Sequence, residues 1–311
     1  MTHRQNLFGT VLTYTAPSAN YRGESAENRA VIQKITIGRF EHAIISPEAL
    51  RNALRETLAV LGLPCNRERL DDEEQLAVQF KDYPDAERYA DDFFMGWLVA
   101  ASGKDRKAIR DELQAKGRDA DNFSFKRDSI LRMNMAVAVE PFRHDTVFTQ
   151  SPLDATDKAI KSHVNDTSSN LLLRETAVTA YQYPFALNLA DCAPHLDWTR
   201  VLLAAIGQLN NAAGNHARSY YEMAPASLVL RLTPQLVAGF DTYGFRIDDG
   251  VHRLPEVVEG LLAGDYPPEE FYLGGKLIKD MDDATRKKLE ERGVALERSP
   301  QRLLATVAAK L

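Results

Sequence analysis

Six cations crowd one short stretch near the N-terminus: Arg22, Arg29, Lys34, Arg39, Arg51 and Arg55. Between them stand the hydrogen-bonding side chains of Asn20, Tyr21, Asn28, Gln33 and Asn52. A guanidinium is permanently charged and grips a phosphate through two parallel N–H···O bonds. The stretch therefore has the chemistry of a track for sugar-phosphate oxygens. Arg51 and Arg55 are four apart, which places both on one face if the segment is helical. The same spacing also suits ion pairs with Glu48 and Glu56 on a solvated helix. A second candidate is the run Gly214, Asn215, His216, Ala217 and Arg218, preceded by Asn210 and Asn211. A glycine turn lets backbone approach a ligand, and Asn, His and Arg donate to phosphates or bases. A helix stop followed by a polar loop accounts for the same residues.

Other chemistries find less support. The seven histidines (His3, His42, His144, His163, His195, His216 and His252) never take the i,i+4 spacing of a helical metal site. No HExxH, GxSxG, GxxxxGK[ST] or GxGxxG motif occurs. The pairs Asp71/Asp72 and Asp91/Asp92 could serve a metal-dependent nuclease, but adjacent helical carboxylates diverge, and a solvated face is expected. His144, Asp145 and His163 fall in a polar stretch read as loop. Two cysteines far apart, Cys65 and Cys192, exclude a disulfide framework or zinc ribbon and suit a reducing cytoplasm. No signal peptide and no apolar run of roughly 18 residues is present, so a soluble cytoplasmic protein without membrane attachment is expected. The net charge of −6 runs against nucleic-acid binding. A phosphate chain, however, responds to the local field, which screening confines to roughly 8–10 Å.

The elements that must position these residues follow from pattern. A strand is predicted over 8–15, a polar loop over 16–27, and short apolar runs over 31–37 and 42–45. Ser46 as N-cap, Pro47 at the first helical position and Glu48 in the first turn predict a helix over 47–60, ended by Gly62 and Pro64. Residues 66–127 read as an acidic helical insertion. A strand follows over 129–139, then a polar stretch over 140–169. Residues 171–189 read as paired strands with a turn near Pro184. A helix over 197–211 stops at Gly214, a strand spans 227–232, and helices return over 255–263 and 283–291. The order β-α-(insertion)-β-(insertion)-β-α-β is that of a split β-α-β, an α+β layout of ferredoxin or RRM type.

Three segments together carry a resemblance: NYRGESAENRAVIQK from residue 20, GRFEHAIISPEALRNALRETL from residue 38, and GNHARSYYEMAPASLVLRL from residue 214. They resemble the hand-shaped, RAMP-superfamily backbone subunit of type I CRISPR Cascade complexes, in its DevR-like autoregulator branch, subtype I-B. The resemblance implies a single elaborated domain. An RRM-like palm would cover 1–62, 128–139 and 172–311, with helical fingers at 63–127 and a β-hairpin thumb at 140–171. It implies a non-catalytic subunit, without cofactor or metal, that oligomerises along a guide RNA (crRNA). Its partners would be further copies of itself, the target DNA strand through base pairing with the guide, and other Cascade subunits: the 5′-end cap subunit, the large subunit and the crRNA-processing endonuclease. Carried over by position, RNA contacts fall on Arg22, Lys34, Arg51 and Arg55 and on Asn215, His216 and Arg218. Asn20, Tyr21, Asn28, Arg29, Gln33, Arg39, Ser46 and Gly214 complete the expected surface. Phe148, Thr149 and Gln150 would form the wedge of the thumb. Relatives often carry a lysine-rich glycine loop where this chain has His and Arg. The acidic insertion is expected to face solvent or neighbouring subunits. An RNA nuclease on the same fold and a stand-alone nucleic-acid-binding regulator are the alternatives.

Overall fold

Pro47 opens a fourteen-residue helix, Pro47–Val60, and the strand that feeds it, Phe40–Ile45, belongs to the central sheet. The structure is a computed structural model that describes residues 5–18, 21–26, 29–71, 76–150, 171–210, 212 and 220–311. At the middle of the sheet lies Asn6–Leu12, antiparallel to Tyr181–Asn188 on one side and to Ser227–Thr233 on the other. Beyond Tyr181–Asn188 come the short strands Arg132–Met133 and Ala136–Ala138, then Phe40–Ile45, and finally Lys34–Ile37 at the edge. Beyond Ser227–Thr233 come Phe271–Gly275 and, in parallel, Ala295–Glu297, making nine strands.

Both faces of the sheet bury apolar side chains. On one, Leu50, Leu54 and Leu58 of the first helix, with Leu202 and Leu203 of Leu196–Ile206 and Leu303 of Pro300–Ala308, share a core with Leu7, Val11, Ile45 and Tyr183. Leu50, Leu54 and Leu58 recur every four residues, so one helix stripe is buried and its flanks are left to polar groups. A second core joins Leu12, Val229 and Leu273 to Val257 and Leu261 of Pro255–Ala263 and Leu289 of Asp283–Glu291. The fold is α+β, as the alternation of elements predicts. Among the described residues no helix is long and apolar enough to cross a membrane.

Several expectations are corrected. The loop expected at 16–27 contains two strands: Ala16–Ser18 pairs with Ala177–Thr179, and Tyr21–Ala26 pairs with Arg29–Ile32. Backbone ladders need no apolar side chains, so polar composition hid them. The insertion is not simply helical. It opens with a hairpin, Arg67–Asp71 against Leu76–Phe80, before the helices Ala90–Met95 and Gly103–Ala115. Pro184 makes no turn; it sits inside Tyr181–Asn188 opposite Thr10. Its missing N–H faces the break between Arg132–Met133 and Ala136–Ala138, where no ladder bond is needed. The Leu196–Ile206 helix ends at Gly207, whose φ of −65° is right-handed; Gly214 lies outside the described residues. Thr146–Gln150 pairs antiparallel with Leu171–Glu175, and 151–170 lie outside the described residues.

Candidate nucleic-acid interface

The site is built on the first helix. Ser46 is extended (φ −65°, ψ 152°) and its Oγ accepts from Ala49 N at 3.2 Å, satisfying one of the free N–H groups of the first turn. With the leucine stripe turned inward, Arg51 and Arg55 fall on the flank, both half-buried. Their Nε atoms are buried and have no hydrogen-bond partner. Among the described residues neither guanidinium enters an ion pair, so pairing with Glu48 and Glu56 is not what holds them. Arg55 Nη1 donates instead to the neutral Oδ1 of Asn52. Burial, then the neighbouring charge of Arg67 and, more weakly, Arg51, pushes the Arg55 guanidinium down to about 10, while Asp91 and Asp92 oppose the shift. Three guanidiniums thus act on one region.

The frame behind them is a buried polar hub that sequence reasoning missed. Asp91 and Asp92, expected on a solvated face, are both fully buried. Asp91 accepts from the backbone N–H groups of Asn66 at 2.8 Å and Arg67 at 3.1 Å. Asp92 Oδ2 accepts from Asn66 Nδ2 at 2.8 Å and from Asp85 N at 3.0 Å. Its other oxygen lies 3.8 Å from the Arg67 guanidinium, and burial raises the Asp92 pKa above the usual carboxylate range. Arg67 lies over the Phe80 ring at 4.7 Å and donates to Gly96 O at 2.6 Å. Asn66 also exchanges hydrogen bonds with Asp82, accepting from its N at 2.9 Å and donating to its O at 3.0 Å. These bonds fasten the base of the inserted hairpin to the Ala90–Met95 helix. Between that hairpin and the first helix lies a cleft of about 430 Å³, lined in part by Asn52, Arg55, Arg67 and Lys81. The signal available in the sequence was the pair of acids just ahead of Phe93 and Phe94, the position that favours carboxylates at a helix start.

The other expected contacts are distributed differently. Lys34 stands on the edge strand, but its ammonium is 3.5 Å from buried Glu175, 3.8 Å from Glu41 and 4.4 Å from the Phe142 ring centre. Its charge is matched internally, and it is not brought together with Arg51 and Arg55 as an open cation. Gln33 accepts Ile44 N through its backbone carbonyl, and Ser46 spends its hydroxyl on the cap. Arg39 is exposed on the turn between Lys34–Ile37 and Phe40–Ile45. Of Tyr21, Arg22 and Arg29 only the strand backbone is described. Asn20, Asn28, Gly214, Asn215, His216 and Arg218 lie outside the described residues. The backbone of Phe148, Thr149 and Gln150 belongs to a paired strand, opposite Leu173, Leu172 and Leu171, and not to a loop; their side chains lie outside what is described.

No family model matches the chain. It is 27% identical over 299 residues to the "CRISPR-associated protein Cas7/Cst2/DevR" of Myxococcus xanthus (strain DK1622), with 91% of each chain covered. Its fold is similar to a chain of a solved "CRISPR RNA-guided surveillance complex" (TM-score 0.56, 13% identity, 98% of this chain and 99% of that one). A chain of a second such complex, in a pre-nicking state, matches with TM-score 0.56 and 11% identity over the same shares. By sequence this chain is similar to the Cas7/Cst2/DevR protein across nine tenths of its length, and by fold it is similar to chains of these surveillance complexes across nearly all of it.

Proposed function

We propose that the chain is a non-catalytic, guide-RNA-binding backbone subunit of a CRISPR Cascade complex, acting in the cytoplasm. It lines up in copies along crRNA beside the cap, large and processing subunits. The one observation that carries this reading is the pair of half-buried guanidiniums, Arg51 and Arg55, whose Nε donors lack acceptors on a helix flank. A permanently charged group held away from water calls for a counter-charge, and a phosphodiester supplies both the charge and the acceptors. Base sequence would be read by pairing between guide and target DNA, the protein holding the backbone.

The strand order supports the palm assignment. Ser227–Thr233, Asn6–Leu12, Tyr181–Asn188 and Ala136–Ala138 are adjacent in that order, with the Pro47–Val60 and Leu196–Ile206 helices in one core. A split β-α-β generates this arrangement. On this reading 1–62, 128–139 and 172–311 form the palm, 63–127 the fingers and 140–171 the thumb. Of the two carboxylate pairs considered for metal-dependent cleavage, Asp91 and Asp92 are buried and bonded to Asn66, Arg67 and Asp85, which favours a binding role for that pair, while the Asp71 and Asp72 side chains lie outside what is described.

The test is the double variant Arg51→Ala, Arg55→Ala. It should stay folded, assemble less on RNA, and lower the slope of log Kobs against log salt by about 1.4, at about 0.7 per lost single-strand phosphate contact. An unchanged affinity with an unchanged slope would overturn the assignment.

A further inference from the structure

Period-two alternation divides the residues of the central sheet between two faces. On one, Ala43, Ile45, Ala136 and Tyr183 share the core of the first helix. On the other, toward the edge strand, Ile35, Ile37, Val137 and Val139 line a cavity of about 530 Å³. Tyr243 stands over its inner side and donates its hydroxyl to Met135 O at 2.8 Å. Gln182, paired with Val137 in the sheet, lines the same cavity and is only 5% exposed. Its Oε1 accepts from Phe245 N at 3.1 Å, while its Nε2 has no partner among the described residues. A buried amide N–H calls for an acceptor. His42 supplies the opposite need. Its Nδ1 is 2.9 Å from Ala138 O, and a carbonyl only accepts, so Nδ1 carries the proton and Nε2 of the neutral ring is left as an acceptor. Asn134 has its oxygen engaged by Met135 N and adds further N–H donors. At the mouth one cation is offset by one anion. Arg246 gives Nη1 to Tyr243 O and Phe245 O, and its Nη2 lies 3.9 Å from Asp241. An aliphatic floor with a donor and an acceptor at its rim and a neutral mouth suits a flat, uncharged heterocycle with a polar edge, and not an anion. The size falls within the roughly 300–1,000 Å³ of small-molecule sites.

We infer that this cavity binds a nucleobase, its flat face against Ile35, Ile37, Val137 and Val139, and its edge accepting from Gln182 Nε2 and donating to His42 Nε2. The inference goes beyond the phosphate-binding reading and does not rest on it, because Arg51 and Arg55 belong to the helix packed on the opposite face. The base arrives either as a free nucleoside or as part of a single strand.

The experiment measures binding of adenosine, cytidine, guanosine and uridine, and of a mixed-sequence single-stranded RNA, to the full chain and to Gln182→Glu and Ile37→Ala. Gln182→Glu keeps the acceptor for Phe245 N and turns the free donor into a second acceptor, with its urea midpoint as the check on folding. Ile37 is 47% exposed, so Ile37→Ala carries the test if Gln182→Glu does not fold. At least one nucleoside should bind with an affinity that salt leaves unchanged, since it carries no phosphate. Binding should weaken about tenfold in Gln182→Glu and about threefold in Ile37→Ala, and stay at the wild-type level in the Arg51→Ala, Arg55→Ala double variant. If Gln182→Glu also weakens RNA binding, the strand supplies the base; if it weakens nucleoside binding alone, the ligand is the free nucleoside; either result supports the site. No nucleoside binding up to about 10 mM, or binding that both variants leave unchanged, overturns it, while the RNA reading is decided separately by its own double variant.

Discussion

Asp91 carries a testable share of the fold. Its two oxygens accept the backbone N–H groups of Asn66 and Arg67 at 2.8 and 3.1 Å, where the inserted segment leaves the first helix. Hydrogen bonds to a charged partner each contribute about 1.5–3 kcal/mol, and a buried donor left unmade keeps its desolvation cost. Asp91→Ala strands a buried donor at Asn66 and a part-buried one at Arg67, which sums to roughly 3–6 kcal/mol. A domain's whole stability is about 5–15 kcal/mol, so the loss would be plain in urea unfolding. Asp91→Asn keeps one acceptor and turns an amide toward the other donor, so about half the loss is expected. The assay is equilibrium urea denaturation followed by tryptophan fluorescence, with the midpoint converted through the m-value. A loss under about 1 kcal/mol for Asp91→Ala would refute the hub as the fastening of the insertion.

Two further outcomes follow from named contacts. Burial, and next the Lys276 ammonium, push the His252 imidazole down to about 4 from 6.5, while its Nδ1 meets Ser227 Oγ at 2.8 Å. The unfolded chain therefore takes up a proton first as pH falls. Stability should be full above about pH 6.5 and fall by roughly 3 kcal/mol toward pH 4, and His252→Gln should flatten that window in denaturant titrations. Ser46→Ala removes the cap on Ala49 N and should cost about 1 kcal/mol in urea unfolding, with Ser46→Asp close to wild type.

How much was legible depended on whether a signal was local. The first helix was read to its ends because Ser46, Pro47 and the leucine repeat all act within a few residues. The flank position of Arg51 and Arg55 followed from that helix alone. The hairpin Arg67–Asp71 with Leu76–Phe80 reads as helix in sequence because its charged residues mask a two-residue period. Asp91 and Asp92 read as solvated in sequence because the partner that accounts for the burial of Asp91 is Asn66, 25 residues away. Lys34 reads in sequence as an open cation, whereas the fold brings Glu175, on the distant strand Leu171–Glu175, to 3.5 Å from it. Pro184 signals a turn in most strands, and only the break in its neighbouring strand makes it tolerable. Pairings across long sequence distances were the part that pattern could not supply.

The most direct measurement is the salt dependence of the full chain binding single-stranded RNAs of equal length and unrelated sequence. Backbone recognition predicts that log Kobs falls linearly with log salt, by about 0.7 per contacted phosphate, with the same slope for every sequence. Binding that ignores salt, or that favours one base sequence by more than about tenfold, would contradict it.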